Sequence, residues 1–228
     1  MRIDPAGWPF VLIGVAIAAV GAYVAIPLGL ALLVLPVALA LFFRDPERVV
    51  EAVSSVVLSP ADGRVRIAGP SMAKDFPSSS WKQVSIFLSP LDVHVNRSPV
   101  SGRVVSVKYH PGRFLPAYRD EATDLNEHTE VVVDHDGQQI VFRQIVGLLV
   151  RRVVCRVREG DILRAGDRIG VMKFGSRMDV FVPADATLEV RAGDYAIGGG
   201  TKLARLSARS VPEALHAETG TPMTAVEA

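Results

Sequence analysis

The stretch Thr129-Glu130-Val131-Val132-Val133-Asp134-His135-Asp136-Gly137-Gln138-Gln139-Ile140-Val141-Phe142-Arg143-Gln144-Ile145-Val146 decides the fold. Two β-branched runs, Thr129–Val133 and Gln139–Val146, flank Asp136-Gly137, a dipeptide suited to the tight turn of a hairpin. Branching at Cβ restricts χ1 in a helix but suits a pleated surface, so the segment reads as two paired strands. Working outward, Gln83–Leu88, Arg103–Tyr109, Leu149–Val157 and Met178–Val182 carry the same enrichment and are bounded by Gly, Pro or Asp. No segment after residue 45 keeps a long helical period, so residues 46–206 are expected to form one mainly β domain.

Short internal similarities support that expectation. Glu159-Gly160-Asp161, Ala165-Gly166-Asp167 and Ala192-Gly193-Asp194 each open a strand-like stretch, with Gly-Asp supplying a tight turn. Ser59-Pro60-Ala61-Asp62-Gly63-Arg64-Val65 and Ser98-Pro99-Val100-Ser101-Gly102-Arg103-Val104 form a second similar pair. Such spacing resembles the barrel-like sandwiches of lipoyl and biotinyl carrier domains. Residues 207–228, rich in Ala, Glu, Thr and Pro, are expected to be a disordered tail.

The N-terminal part differs in kind. Lys plus Arg (25) nearly balances Asp plus Glu (24), which argues against a nucleic-acid partner, but the 36 residues from Trp8 to Phe43 hold no charge at all. A bilayer span needs about 20 apolar residues. Pro27-Leu28-Gly29 interrupts the run, so residues 1–45 read as a membrane anchor, a helical hairpin over Pro9–Ala25 and Gly29–Phe43 that spans or dips into the bilayer. The run is too long for a cleaved signal peptide. Arg2, Arg44 and Arg48 flank it on both sides, which places both ends, and the domain that follows, on the cytoplasmic face of the cell membrane. The single cysteine, Cys155, excludes an intramolecular disulfide and reads as a small apolar strand residue.

Chemistry-bearing residues are few. None of the five histidines forms His-x-His or His-Glu-x-x-His, so no metal site is expected. His135 falls at the hairpin tip and reads as part of a solvated turn, and His110 and His128 are explained as loop residues. His94 stands out, in Phe87-Leu88-Ser89-Pro90-Leu91-Asp92-Val93-His94-Val95-Asn96-Arg97, where polar groups sit among apolar ones. Asp62 by itself reads as a turn residue. Phe174-Gly175-Ser176-Arg177 is not a Gly-x-Ser-x-Gly elbow, which argues against an α/β-hydrolase.

In order along the chain come Pro60-Ala61-Asp62-Gly63, Leu88–Arg97, Asn126-Glu127-His128, Gln144-Ile145-Val146-Gly147 and Lys173–Val182. That series resembles the phosphatidylserine decarboxylases, in their short form with an N-terminal membrane segment. The resemblance implies self-cleavage between Gly175 and Ser176, giving a two-chain enzyme. It further implies that Ser176 becomes a covalent pyruvoyl group, whose ketone forms a Schiff base with the lipid amine, so that no pyridoxal cofactor is needed. The implied reaction converts phosphatidylserine to phosphatidylethanolamine with release of CO2. His94 is the implied proton carrier and Asp62 its orienting carboxylate. In the longer bacterial form the corresponding segment carries two histidines three positions apart; here Arg97 stands at the second. Arg97 and Arg177 are candidate contacts to the substrate phosphate or carboxylate. Residues 110–126, with Phe114, Leu115 and Tyr118 among charges, are a candidate lipid-facing loop, and the resemblance also suggests a homodimer. A lipid substrate agrees with the anchor. Two other readings stand beside this one: a membrane-tethered, non-catalytic carrier or binding domain with Lys173 as the modifiable residue, and a decarboxylase of a different amine-bearing lipid.

Overall fold

The computed structural model describes residues 2–51, 53–148, 153–173 and 176–207. Its main sheet has eight antiparallel strands in the order Ile162–Leu163, Gly102–His110, His128–His135, Gln138–Ile145, Ser176–Pro183, Trp81–Leu88, Gly63–Pro70 and Tyr195–Ala196. His128–His135 and Gln138–Ile145 are joined by Asp136 and Gly137 alone, at φ of 50° and 80°. Two successive left-handed residues match the right-handed twist of the flanking strands, the turn expected of Asp-Gly. The expected strands recur, Gln139–Val146 shifted by one residue and the others up to three residues longer. Only Val153–Cys155 of the expected Leu149–Val157 strand is found, residues 149–152 lying outside the described ones. The eight-residue strand Gly63–Pro70 was not anticipated, because Arg64 and Arg66 interrupt its apolar residues.

The sheet is built from two similar halves, which explains the paired sequence motifs. Ser59 and Ser98 each donate a hydroxyl hydrogen bond to the carbonyl two residues on, at 2.6 and 2.7 Å. Gly63 and Gly102 follow at φ of 151° and 153°, and a Cβ on either would lie 2.2 Å from a carbonyl oxygen of the neighbouring strand. Only glycine fits such an approach. In each Gly-Asp turn the carboxylate (Asp161, Asp167 or Asp194) accepts from the backbone N–H three residues earlier, always at 2.8 Å.

Two three-stranded sheets pack on the hollow side of this curled half-barrel. One comprises Val153–Cys155, Arg168–Met172 and Val95–Arg97; the other comprises Thr187–Leu188, Lys202–Arg205 and Val56–Leu58. A single core, including Val57, Ile86, Val131, Phe142, Met172, Met178 and Leu203, fills the space between them. The mainly β class is as expected. A likeness to lipoyl carrier domains has no support beyond that class.

The N-terminal apolar run, the expected anchor, is a helical hairpin with helices Trp8–Val24, Ile26–Leu32 and Val34–Phe42. The chain reverses at Ala25 (φ −157°, ψ 129°), not at Pro27-Leu28-Gly29, because proline is tolerated in the first turn of the second helix. Small residues let the helices touch: a Cβ on Gly21 would meet the Leu32 side chain at 2.5 Å, and one on Gly29 would meet Ala22 at 2.3 Å. Leu12, Val20, Leu30 and Val34 are instead between 61% and 70% exposed. Apolar side chains outward and small ones inward are what a helix pair in lipid requires. Pro5–Val24 is long and apolar enough to cross a membrane. The hairpin's ends meet in the short ladder Arg2–Ile3 with Arg44–Asp45, so both emerge on one side.

Candidate active site

Ser176 opens the strand Ser176–Pro183 and pairs with Leu88. Strand residues alternate faces, so Ser176 shares the core-facing side of Met178, whereas Arg177 shares the opposite side with Asp179. The Ser176 hydroxyl is buried and has no hydrogen-bond partner among the described residues. A buried polar atom left so costs roughly 1–3 kcal/mol and calls for an explanation, of which a catalytic role is one. Gly175, on the other side of the expected scissile bond, lies outside the described residues.

His94 approaches the same interior from the small sheet, where its carbonyl accepts from the Met172 N–H at 3.1 Å. Its Nδ1–H donates to the Asp92 carbonyl at 2.9 Å, which leaves the lone pair on Nε2. Nε2 too is buried without a partner. Burial is the main cause that lowers the His94 pKa to about 4, so the ring is neutral at pH 7 and able to take a proton. Phe42, at the foot of the anchor, packs its ring 4.0 Å from the imidazole. The hairpin thus forms part of the wall around His94. Phe42 and Phe43 also share an apolar cluster with Val93, Val95 and Val171.

Asp62 does not orient His94. Its carboxylate accepts from Arg48 at 2.8 Å and from the Gly198 N–H at 2.7 Å, so it ties the anchor's exit to the turn at residues 197–201. The Asp92 carbonyl takes the orienting place. The Asp92 carboxylate accepts from the Tyr195 hydroxyl at 2.6 Å and from the Ser89 N–H at 2.7 Å. Partial burial, then this bond to Asp92, push the Tyr195 pKa up to about 12, which keeps the phenol a donor.

The two arginines expected to meet substrate are both engaged by protein groups. Arg177 is fully buried, with Nε 2.6 Å from Asp179 and further bonds to Ser85, Thr123 and the Arg119 carbonyl. Arg97 is buried against Asp45 and the carbonyls of Pro46 and Gly166, where it locks the anchor's exit to the domain. Both are planar donor forks satisfied by protein groups. Arg64 and Arg66 line an open cavity of about 530 Å³ instead, with Phe87, Ser89, Asp92, Tyr118 and Tyr195. Tyr118 belongs to the stretch expected to face lipid. The cavity's lining residue Phe87 pairs with Arg177, so this part of the cavity lies on the sheet face opposite the Ser176 side chain.

His135 is not a solvated turn residue: it is buried, and its ring nitrogens meet the carbonyls of Ser101 and Ser54. His110, His128 and Glu130 form the one three-residue group of metal-ligand type among the described residues. The two rings stack 9° from parallel with centroids 4.6 Å apart, so their in-plane lone pairs do not converge on one point. Arg143 also occupies the Glu130 carboxylate at 2.8 Å. Lys173, the modifiable lysine of a carrier domain, lies over the Phe10 ring at 4.7 Å, against the anchor. Two residues with site character escaped the sequence reading, Asn96 and Gln144, both fully buried and bonded to each other at 2.8 Å. Both lie in stretches that carry the resemblance, Leu88–Arg97 and Gln144-Ile145-Val146-Gly147, without either amide standing out there.

A neutral buried histidine and a partnerless buried serine, inside a β domain fixed to an apolar hairpin, define a candidate enzyme site. Residues 37–204 match the family model for phosphatidylserine decarboxylase. The proenzyme of that name from Anaplasma phagocytophilum is 39% identical over 90% of this chain and 91% of its own length. Those from Symbiobacterium thermophilum (42%; 88% and 94%) and Mycobacterium tuberculosis (43%; 89% of each) are similarly related. The chain belongs to the phosphatidylserine decarboxylase family.

Proposed function

We propose that this enzyme decarboxylates phosphatidylserine to phosphatidylethanolamine with release of CO2, after cutting its own chain between Gly175 and Ser176. The observation that carries the reading is the buried Ser176 hydroxyl without a partner, at the head of a strand that survives as the start of the smaller chain. In processing, the Ser176 hydroxyl passes its proton to His94 Nε2 and its oxygen bonds to the preceding carbonyl carbon. The carbonyl's π pair moves onto oxygen. Collapse breaks the C–N bond, nitrogen gains a proton, and an ester replaces the amide. Loss of the Cα proton then expels the ester carboxylate from Cβ. Hydrolysis of the resulting enamine, through its imine tautomer, releases ammonia.

The residues present fit the pyruvoyl group this leaves: it is no larger than the serine it replaces, and the interior there is polar. When present, its ketone supplies an electrophile for a primary amine and a sink for the electron pair left by lost CO2. His94, neutral and fixed by the Asp92 carbonyl, holds or delivers a proton. Arg64 and Arg66 suit the headgroup phosphate, and Phe87 and Tyr118 present apolar faces towards the acyl side of the cavity. Asp62 acts at a distance, holding Arg48 and the turn at residues 197–201. The apolar hairpin keeps this mouth at a lipid surface, on the cytoplasmic side in our reading. The homodimer rests on the family resemblance.

Intact mass under denaturing conditions tests the proposal. The expected products are Met1–Gly175 and a fragment beginning at residue 176, with a pyruvoyl group in place of serine. A single full-length chain in an active preparation refutes it.

A further inference from the structure

Asn96 and Gln144 are two buried amides that the chemistry above leaves unused. Gln144 Nε2 donates to Asn96 Oδ1 at 2.8 Å, while Asn96 Nδ2 and Gln144 Oε1 are buried with no partner among the described residues. As placed, the pair leaves the Asn96 NH2 group free to donate and the Gln144 carbonyl oxygen free to accept.

Register places the pair beside Ser176. Gln144 is the cross-strand partner of Met178, and Ser176 stands two residues from Met178 on the same face. Gln144 and Ser176 are therefore diagonal neighbours, within reach of a long side chain. Asn96 comes from the facing sheet, two residues from His94 and opposite Gly170. Space for the contact is left by Gly170, where a Cβ would lie 2.9 Å from Gln144 Nε2. Four buried side chains with partnerless polar atoms, His94, Asn96, Gln144 and Ser176, thus come from facing sheets onto one interior. A structural polar pair would have its hydrogen bonds completed, as Arg177 has. This one is half open.

We infer that Asn96 donates a hydrogen bond to the oxygen that becomes negative when Ser176 attacks, and that Gln144 is the positioning residue that holds Asn96 for it. The inference rests on the self-cleavage reading. It adds no bond change to that step: the π pair arriving on oxygen meets a pre-placed N–H in a water-free interior, where such donors have their largest effect.

The test follows chain cleavage by mass spectrometry in freshly synthesised full-length protein, with thermal unfolding in detergent measured alongside. The variants are Asn96→Leu and Gln144→Met, which keep volume and remove the amides, and Asn96→Ser, which keeps a small donor. Removing one such donor elsewhere slows reaction on the order of 100-fold. Asn96→Leu is expected to show that slowing with an unfolding temperature at or above wild type, Gln144→Met a smaller slowing, and Asn96→Ser partial recovery. Cleavage of Asn96→Leu at the wild-type rate overturns the inference. If Asn96→Leu fails to fold, wild-type cleavage in both Asn96→Ser and Gln144→Met overturns it equally. An uncut wild-type chain is a different result, because it removes the self-cleavage reading itself.

Discussion

Replacing Arg177 with methionine separates a substrate contact from a buried structural ion. Arg177 and Asp179 are both fully buried, 2.6 Å apart, and Asp179 also accepts from Gln83 and Thr123 at 3.0 Å. Methionine fills much of the volume but leaves Asp179 without its charge partner, and also leaves the Ser85 hydroxyl and Arg119 carbonyl short of a donor. Removing one member of a buried pair costs about 3–5 kcal/mol, because the surviving charge stays desolvated. For a chain of this size each kcal/mol moves the melting temperature by about 2–4 °C, so Arg177→Met should melt roughly 6–20 °C lower. The comparison belongs in a Ser176→Ala background, in which both proteins remain one continuous chain. A double variant, Arg177→Met with Asp179→Leu, should recover much of the loss, since no orphaned charge remains. The readouts are the detergent melt and, in the processed enzyme, KM. An unchanged melting temperature with a KM raised tenfold or more would show Arg177 at the substrate and refute the structural reasoning.

Other consequences follow from the same contacts. His94 has a pKa of about 4 when folded against an ordinary 6.5, so its contribution is fully present above pH 6.5 and is lost as pH falls towards 4. The loss should reach about 3 kcal/mol, and His94→Gln should flatten that part of a denaturation-versus-pH curve. Asp45 accepts from Arg97 at 3.2 Å and Arg168 at 2.5 Å, so Asp45→Asn should loosen the anchor from the domain. A loss of about 2–3 kcal/mol and faster proteolysis near residue 46 are expected, and unchanged values for both would deny the clamp. Arg66→Ala should raise KM for the lipid roughly tenfold with kcat nearly constant, while a fall in kcat alone would remove Arg66 from headgroup binding.

The β class, the Asp136-Gly137 hairpin and the apolar hairpin were legible in the sequence because each depends on local chemistry. Turn dipeptides, β-branching and an uncharged run act over a few residues, and no distant partner changes their meaning. Ordered motifs single out Ser176 and His94 as candidates, and the family comparison agrees with the resemblance those motifs carry. Arg97 and Arg177 were not legible, because a guanidinium meets a lipid phosphate or a buried carboxylate equally well. Which it meets depends on Asp45, 52 residues away, or on the cover supplied by Thr123 and Arg119. The partners of Asp62, Arg48 and Gly198, are likewise a matter of tertiary contact. Asn96 and Gln144 look like ordinary strand amides until two sheets face each other. Sequence by itself thus determined the elements and singled out Ser176 as the candidate reacting residue. Tertiary structure alone decided which polar groups are satisfied and which are left open at the site, since burial and hydrogen-bond completion are set by long-range packing.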